Sequence, residues 1–316
     1  MAETDFFMGL DGGGSKTAAV LLDGSGRRLA EARAGRSAIV AAPCAESCAV
    51  LAGVAQSLCD QAGVTRAQIT GVGLGLNGID FADEFDLQHR ALAACLGVPG
   101  ERLTLVNDGI AALWGAFPAE RAAIVQHGSG LTSAYRTTWG QERMFDNVDA
   151  GQIFDLRRAL TAAVARMIDG RRPPTPLKEA TLRLYGVEDE ALYHELVFRG
   201  RIPREKRLRG HQLVFAAWPE GDPVAAELVE AALADYACLA GALLARIGGP
   251  EAHLAFGGGV LQSAPAAFLE RLTALVHEQY PEAIVGRPRL SAAEGAALMA
   301  AHHAGADPVR MFAALE

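Results

Sequence analysis

The sequence predicts an α/β protein built from two similar units. Apolar, strand-like runs alternate with helical segments, which is typical of parallel strands covered by helices. One pattern, an apolar run, a glycine turn and a second apolar run, opens the chain at 6–22 and occurs again from 121. The chain has 316 residues, half of them apolar, which favours two hydrophobic cores over one.

The first unit is predicted to begin with three strands joined by the turns "DGGGSK" and "DGSG". Two strand–helix pairs follow the first helix. The predicted strands are 6–10, 17–22, 27–34, 69–76 and 102–106, and the predicted helices are roughly 43–62, 84–96 and 109–117.

The second unit repeats the opening hairpin and then becomes mostly helical between 150 and 250, with proline-rich breaks at 173–176 and 203. A long helix is expected over 222–249, because Asp-Pro is a typical start and Gly-Gly a typical stop. The remaining predicted strands are 121–126, 131–137, 252–259 and 283–285, and the remaining predicted helices are 261–279 and 291–304.

Charge and composition exclude several classes of function. The net charge is −8, and the one basic stretch, 199–210, is interpreted as a solvated face, so no nucleic-acid partner is expected. No apolar run of about 18 residues lacks a charge or glycine break, so no membrane partner is expected. The N-terminal "MAETDFF" does not resemble a signal peptide, and the odd number of cysteines, five, predicts reduced thiols in a cytoplasmic protein.

The stretch "GLDGGGSKTAAVLLDGSG" at 9–26 is similar to a P-loop but does not fit one. A P-loop has glycine before its lysine and a helix after it, whereas Ser15 precedes Lys16 and a short strand follows. The alternative is a β-hairpin that holds phosphate through backbone N–H groups at Gly12, Gly13 and Gly14. Such a turn can equally be free of ligand.

Side chains around that hairpin suit the same interpretation. Ser15 and Thr17 would add hydroxyl donors, and Lys16 would add positive charge. Asp11 ends the first strand, where a carboxylate could hold Mg²⁺ through water.

Three more strand ends carry residues suited to a ligand. Asn107 and Asp108 follow a buried strand and start a helix, although Asp108 could serve only as a helix cap. Gly128 and Ser129 lie in the second hairpin turn, "QHGSGL". Gly257, Gly258 and Gly259 form a third glycine cluster between a strand and a helix. Each cluster alone could be turn chemistry, but their coincidence favours a ligand site.

Taken in order, these motifs resemble those of the BadF/BadG-type ATPase family of the sugar kinase, Hsp70 and actin superfamily, and most closely its N-acetylglucosamine and glucosamine kinases. "LDGGGSKT" resembles the first phosphate motif, "IVQHGSGL" the second and "AFGGGVLQS" the adenosine motif. "GVGLGLNGID" resembles the sugar-side loop, "VNDGIAAL" the segment with the catalytic Asp, and "SAAEGAALMAAHHAG" the last helix.

The resemblance implies two ribonuclease H-like (actin-like ATPase) domains flanking a nucleotide cleft. The expected boundaries are 1–117 for the N-terminal domain, with 291–316 packing back on it, and 118–290 for the C-terminal domain with its helical insertion. A homodimer through that helical part is the expected assembly.

The resemblance also implies an ATP-dependent kinase acting on an amino sugar, with ATP and Mg²⁺ as cofactors. Asp108 would be the general base, and Asn107 would orient the acceptor. Asn77 and Asp149 would bind acceptor hydroxyls. The phosphates would lie on residues 12–17 and on Gly128 and Ser129, and the adenosine on residues 257–259.

Departures from the family pattern leave alternatives open. His127 stands where the family usually has threonine. It could contact a phosphate or take part in the transfer, but it is interpreted as a surface group in a turn. The loop "GRSAIVAAP" lacks the usual sugar-binding Asn, and "NVDAGQIFDL" retains only Asp149 and Gly151 of an acidic glycine loop. A regulatory ATP-binding module without kinase activity is therefore the second hypothesis. An ATPase activator of a radical dehydratase is disfavoured, because no cysteine lies at a cluster-ligating motif position.

Overall fold

The structure is a computed structural model that describes residues 5–146, 151 and 153–316. Its first sheet has the strand order β3-β2-β1-β4-β5. The middle strand, β1, pairs antiparallel with β2 and parallel with β4. The five strands are β1 (Phe6–Gly12), β2 (Thr17–Asp23), β3 (Arg28–Ala34), β4 (Ile69–Leu76) and β5 (Leu103–Val106).

The second sheet repeats this topology. Its order is β10-β9-β6-β7-β8, and β6 pairs antiparallel with β7 and parallel with β9. The repetition predicted from the two glycine hairpins is therefore present. These strands are β6 (Ala122–His127), β7 (Leu131–Arg136), β8 (Glu142–Asp146), β9 (His253–Gly257) and β10 (Ile284–Gly286).

The first sheet is covered on one face by α1 (Ala45–Ala62) and α2 (Ala82–Leu96). Gly63 ends α1 in the left-handed conformation, and Gly97 ends α2 in the same way. Leu51, Val54 and Leu58 of α1 are buried against the sheet.

Helices between β8 and β10 build the second core. The helices are α4 (Leu156–Ile168), α5 (Pro176–Tyr185), α6 (Tyr193–Phe198), α7 (Arg204–Leu208), α8 (Gly210–Ala217), α9 (Pro223–Ile247), α10 (Gly258–Gln262) and α11 (Ala266–His277). The carboxylate of Asp222 caps α9 by accepting from the N–H groups of Val224 and Ala225. Within the described residues, α9 alone is long and apolar enough to cross a membrane, but it buries one face in this core, as core helices of similar composition do.

Two helices lie between the sheets. The first is α3 (Asp108–Trp114), and the second is α12 (Ala292–His303), which precedes α13 (Pro308–Leu315). The sheet and α12 touch through glycine: a Cβ at Gly73 would lie 1.9 Å from the carbonyl oxygen of Ala296. A Cβ at Gly295 would likewise lie 2.1 Å from the carbonyl oxygen of Ala111, so α3 and α12 are in backbone contact.

Three elements differ from the sequence prediction, the first being α13, which was not predicted as a helix separate from α12. The helix expected over 261–279 is divided into α10 and α11, because Pro265 lacks an N–H group and stands as the N-cap of α11. Strand β8 was not predicted. The proposed domain boundary at 117 and 118 stays a prediction.

Candidate functional site

The carboxyl ends of β1 and β5 bring Asp11 and Asp108 to the same edge of the first sheet. Between them runs β4, in which Gly75 pairs with Asp11 and with Val106. A Cβ at Gly75 would lie 2.3 Å from Ala111 Cβ and 3.5 Å from Asp108 Cα. Glycine is therefore required here for α3 to begin close to the strand that carries Asp11.

The electrostatics of this edge suit a proton acceptor. Burial, helped by the nearby charges of Asp11 and Asp80, raises the pKa of Asp108 to about 7. Asp108 Oδ1 is buried and has no hydrogen-bond partner in the described part of the chain. Burial also raises the pKa of Asp11 to about 6, against the opposing attraction of Lys16. A general base works best when its pKa lies near the working pH.

Asn107 is held by a residue that the sequence analysis did not select. Its amide nitrogen donates to Asp80 Oδ1 at 2.8 Å, and its amide oxygen accepts from the N–H of Gly109 at 2.8 Å. Asn107 is 2 % exposed, so it caps α3 and is anchored by Asp80. The signal for Asp80 was its position three residues after Asn77 in the sugar-side loop.

The first glycine turn is open to solvent at its tip. The N–H of Gly13 donates to the carbonyl of Lys16 at 3.0 Å, which closes the turn. A Cβ at Gly14 would meet nothing within 4 Å, and Ser15 and Lys16 are exposed. Space for a ligand is therefore present above this turn.

Thr17 and Gly12 have roles within the fold. The Thr17 hydroxyl, which was expected to face phosphate, is fully buried and donates to the carbonyl of Gly35 at 2.7 Å, with Ser37 Oγ also 2.7 Å away. Its proton is therefore engaged by the loop after β3. A Cβ at Gly12 would lie 2.4 Å from Ser37 Oγ, so Gly12 packs against the same loop.

Asn77 has an exposed side chain at the end of β4. Its N–H donates to the carbonyl of Gly12 at 2.9 Å, and its carbonyl accepts from the N–H of Ile39 at 3.0 Å. The backbone of Asn77 thus joins the first glycine turn to the loop after β3 and leaves its side chain exposed.

The second glycine turn is also open, but His127 before it is not a surface group. The N–H of Gly128 donates to the carbonyl of Gly130 at 2.9 Å, and Ser129 is exposed. His127 is only 2 % exposed, which corrects the interpretation of it as a surface residue. It contacts Tyr236 and Arg157, which lie 109 and 30 positions away in the chain, and no local sequence pattern indicates these contacts.

The third glycine cluster lies directly against the second turn. Gly257 pairs with Gln126, and Gly258 has a φ of 83°. A Cβ at Gly258 would lie 2.5 Å from the carbonyl carbon of His127, whereas one at Gly259 would meet nothing within 4 Å. The predicted adenosine and phosphate segments are therefore adjacent.

The second sheet approaches the start of α3. A Cβ at Gly109, next to Asp108, would lie 3.3 Å from Thr132 Cβ in β7.

Asp149, predicted to bind the acceptor, lies outside the described residues. In the described ranges, no three His, Cys, Asp or Glu side chains could together hold a metal ion. Two surface cavities of about 440 and 480 Å³ lie against α9. Arg271 and Leu275 of α11 also line the first, Phe154 also lines the second, and none of the lining residues lies in a glycine turn.

Comparison with known proteins decides the family. A model of the BadF/BadG/BcrA/BcrD ATPase family matches residues 8–300. The chain belongs to this family. The family prediction made from the motifs is thereby confirmed.

Individual relatives agree with this assignment. The chain is 25% identical over 239 residues to a glucosamine kinase of Vibrio cholerae serotype O1, covering 73% of this chain and 78% of the relative. It matches a crystal structure from Chromobacterium violaceum, provisionally assigned as an N-acetylglucosamine kinase, at 27% identity and a TM-score of 0.68, covering 93% and 98% of the two chains. A ROK family glucokinase from Streptomyces griseus, solved with glucose and AMPPNP, shares the fold at 18% identity and a TM-score of 0.55, covering 92% and 98%.

Proposed function

We propose that this chain transfers the γ-phosphate of ATP to a hydroxyl of an amino sugar, with glucosamine and N-acetylglucosamine as the first candidates. The observation that carries the proposal is Asp108, a partly buried carboxyl with a pKa of about 7 at a strand end, near two open glycine turns. The names of the relatives supply the amino-sugar class.

In this mechanism the Asp108 carboxylate accepts the proton of the acceptor hydroxyl. The hydroxyl oxygen forms a bond to the γ-phosphorus while the bond from that phosphorus to the bridging oxygen breaks, which releases ADP. Asp80 and Asn107 fix the start of α3 and so hold Asp108 in place. The exposed side chain of Asn77 would contact the acceptor, and so would Asp149.

The nucleotide would lie between the two sheets. N–H groups of the turns at 12–16 and 128–130 would bind the phosphates, except those of Gly13 and Gly128, which close the turns. Ser15, Lys16 and Ser129 would add side-chain contacts. Residues 257–259 would lie beside the adenosine. Thr17 would support the first turn from behind, because its hydroxyl is engaged by Gly35.

Mg²⁺ fits the residues present at the end of β1. Asp11 is a carboxylate whose charge is disfavoured by burial, and Asp108 adds a buried oxygen without a partner among the described residues. One carboxylate is sufficient protein ligation, since Mg²⁺ usually keeps water and phosphate oxygens as its other ligands. Bound there, the cation would neutralise charge on the phosphates.

A homodimer through the helical part of the second unit and a cytoplasmic location remain expectations that accompany this proposal. The proposed reaction takes ATP and the sugar as its small-molecule partners, and no nucleic-acid or membrane partner is expected.

The second candidate is an ATP-binding regulatory module without sugar phosphorylation. The loop after β3 favours it, since Ile39 is buried and Val40, 84% exposed, presents an apolar side chain there. No sugar-binding Asn stands in that loop.

An ADP-release assay with ATP and Mg²⁺ separates the two candidates. Glucosamine, N-acetylglucosamine, N-acetylmannosamine, glucose and a no-sugar blank form the panel, and the phosphorylated product is identified by mass spectrometry. Release that depends on an amino sugar supports the kinase. Binding of ATP without stimulation by any sugar supports the regulatory module.

A further inference from the structure

A buried polar network lies behind the second phosphate turn. Its centre is Arg157, which is 7% exposed although it carries a permanent charge. Arg157 Nε donates to Asp155 Oδ1 at 2.8 Å, and one terminal nitrogen donates to Asp155 Oδ2 at 2.8 Å. This bidentate ion pair compensates the buried guanidinium.

The same guanidinium reaches the phosphate turn by two further contacts. Its other terminal nitrogen donates to the carbonyl oxygen of Gly128 at 2.8 Å. The nitrogen that faces Asp155 also lies 3.0 Å from Nε2 of His127. Arg157 therefore contacts both Gly128, at the start of the turn, and His127, the residue before it.

The hydrogen-bond partners assign the proton of His127. A guanidinium can only donate, so His127 Nε2 accepts from Arg157 and the ring proton lies on Nδ1. Nδ1 then donates to the hydroxyl oxygen of Tyr236, 2.5 Å away. Burial lowers the pKa of His127 to about 4, and the charge of Arg157 acts in the same direction, so the ring is neutral at physiological pH.

The network joins three separate elements to the turn. Asp155 is the N-cap of α4, Tyr236 lies in α9, and Asp235 beside it accepts from the N–H of Phe154 at 2.5 Å. Apart from the hydrogen bond between Gly128 and Gly130 that closes it, the turn is open on its outer side, since a Cβ at Gly128 or Gly130 would meet nothing within 4 Å. Its orientation therefore depends on what holds the carbonyl of Gly128.

We propose that His127 and Arg157 are positioning residues that fix the Gly128–Gly130 turn so that its N–H groups point toward the phosphates of ATP. This inference rests on the proposed function, because it takes ATP as the ligand of the turn. In this proposal neither side chain touches the phosphate. Arg157 donates to the carbonyl of Gly128, and neutral His127 accepts from Arg157 while donating to Tyr236.

Nucleotide binding tests the proposal without any sugar. Isothermal titration calorimetry measures the affinities of AMPPNP, with Mg²⁺, and of AMP for the wild-type chain and for His127→Phe, His127→Gln and Arg157→Ala. Glutamine keeps one acceptor and one donor, whereas phenylalanine keeps neither. Arg171→Ala is the matched control, because Arg171 pairs with Asp169 at the same spacing of two residues but is exposed.

The expected result is a selective loss of triphosphate binding. His127→Phe and Arg157→Ala should weaken AMPPNP binding by about tenfold or more, the scale of a lost hydrogen bond to a charged group. AMP affinity should change much less, because AMP lacks two of the three phosphates that the turns are proposed to bind. His127→Gln should recover most of the affinity, and Arg171→Ala should match the wild type.

Three results would overturn the inference: unchanged AMPPNP affinity in His127→Phe, equal losses for AMPPNP and AMP in a folded variant, or no recovery in His127→Gln. If Arg157→Ala does not fold, the His127 pair and Tyr236→Phe decide the matter. A wild-type chain that binds no nucleotide would instead contradict the proposed function.

Discussion

Asp11 and Asp108 lie on either side of Gly75, and the charge of Asp11 raises the pKa of Asp108. Two carboxyls at one buried edge are unfavourable in a protein without ligand. In the proposed site, Mg²⁺ bound at Asp11 would offset one of the two negative charges, and the raised pKa of Asp108 would favour its uptake of a proton.

The rate of sugar phosphorylation should depend on pH through Asp108. Only its ionised form can accept the hydroxyl proton, so kcat/KM for the sugar at saturating ATP should rise with pH and level off above about 7. Asp80→Asn should move this profile to lower pH, because it removes a negative charge and keeps an acceptor for Asn107. A flat profile between pH 5.5 and 8.5, with the coupling enzymes in excess, would contradict the role of Asp108.

The raised pKa of Asp108 should also lower the stability of the ligand-free protein at high pH. The pKa of Asp108 is raised from 3.8 in the unfolded chain to about 7, so the penalty begins near pH 4 and is complete above pH 7. Asp108→Asn should therefore be more stable than the wild type at pH 8, by about 1–3 kcal/mol, with a smaller gain at pH 5. Thermal melts at both pH values measure this, with Asp86→Asn, an exposed carboxylate on α2, as the control. A stability gain that is equal at pH 5 and 8 would count against the shift.

The contact between Asp80 and Asn107 should matter for turnover more than for nucleotide binding. Asp80→Ala leaves the buried Asn107 amide without its acceptor and loosens the start of α3, so kcat should fall by about tenfold or more. KM for ATP should change little. Steady-state kinetics of Asp80→Ala and Asp80→Asn measure both constants. A rise in KM for ATP alone would place Asp80 outside the acceptor side of the site.

Neighbouring glycines in the third cluster should respond differently to one methyl group. Gly258→Ala places a Cβ 2.5 Å from the His127 backbone at a φ of 83°, so it should lower both stability and nucleotide affinity. Gly259→Ala meets nothing within 4 Å and should leave the stability of the ligand-free chain nearly unchanged. Thermal melts with and without AMPPNP compare the pair. Equal behaviour of the two variants would contradict the close approach of β9 and the second turn.

The sequence predicted most of the fold because its strong signals are local. Glycine turns between apolar runs fixed both hairpins, and Asp222 and Gly248 marked the ends of α9 correctly to within two residues. Strand β8 was missed because "ERMFD" has no apolar alternation over its five residues. The break before α11 was missed although Pro265 was its local signal.

The site was less predictable where it depends on contacts between distant residues. Motif order located Asp11, Asp108 and the three glycine clusters, since each stands at a strand end. The burial of His127 depends on Arg157 and Tyr236, which approach it only in the folded chain. The engagement of Thr17 by Gly35 is likewise set by the path of the loop after β3, which no local pattern specifies.

The most direct test of the central claim is the rate of phosphosugar formation by Asp108→Asn, measured with the amino sugar that the wild type uses best. The account predicts a loss of about 10²–10⁴-fold in kcat, the usual contribution of a general base, with AMPPNP affinity retained. Asp86→Asn should keep the wild-type rate. Full turnover by Asp108→Asn with ATP bound would contradict Asp108 as the base and, with it, the mechanism proposed for this chain.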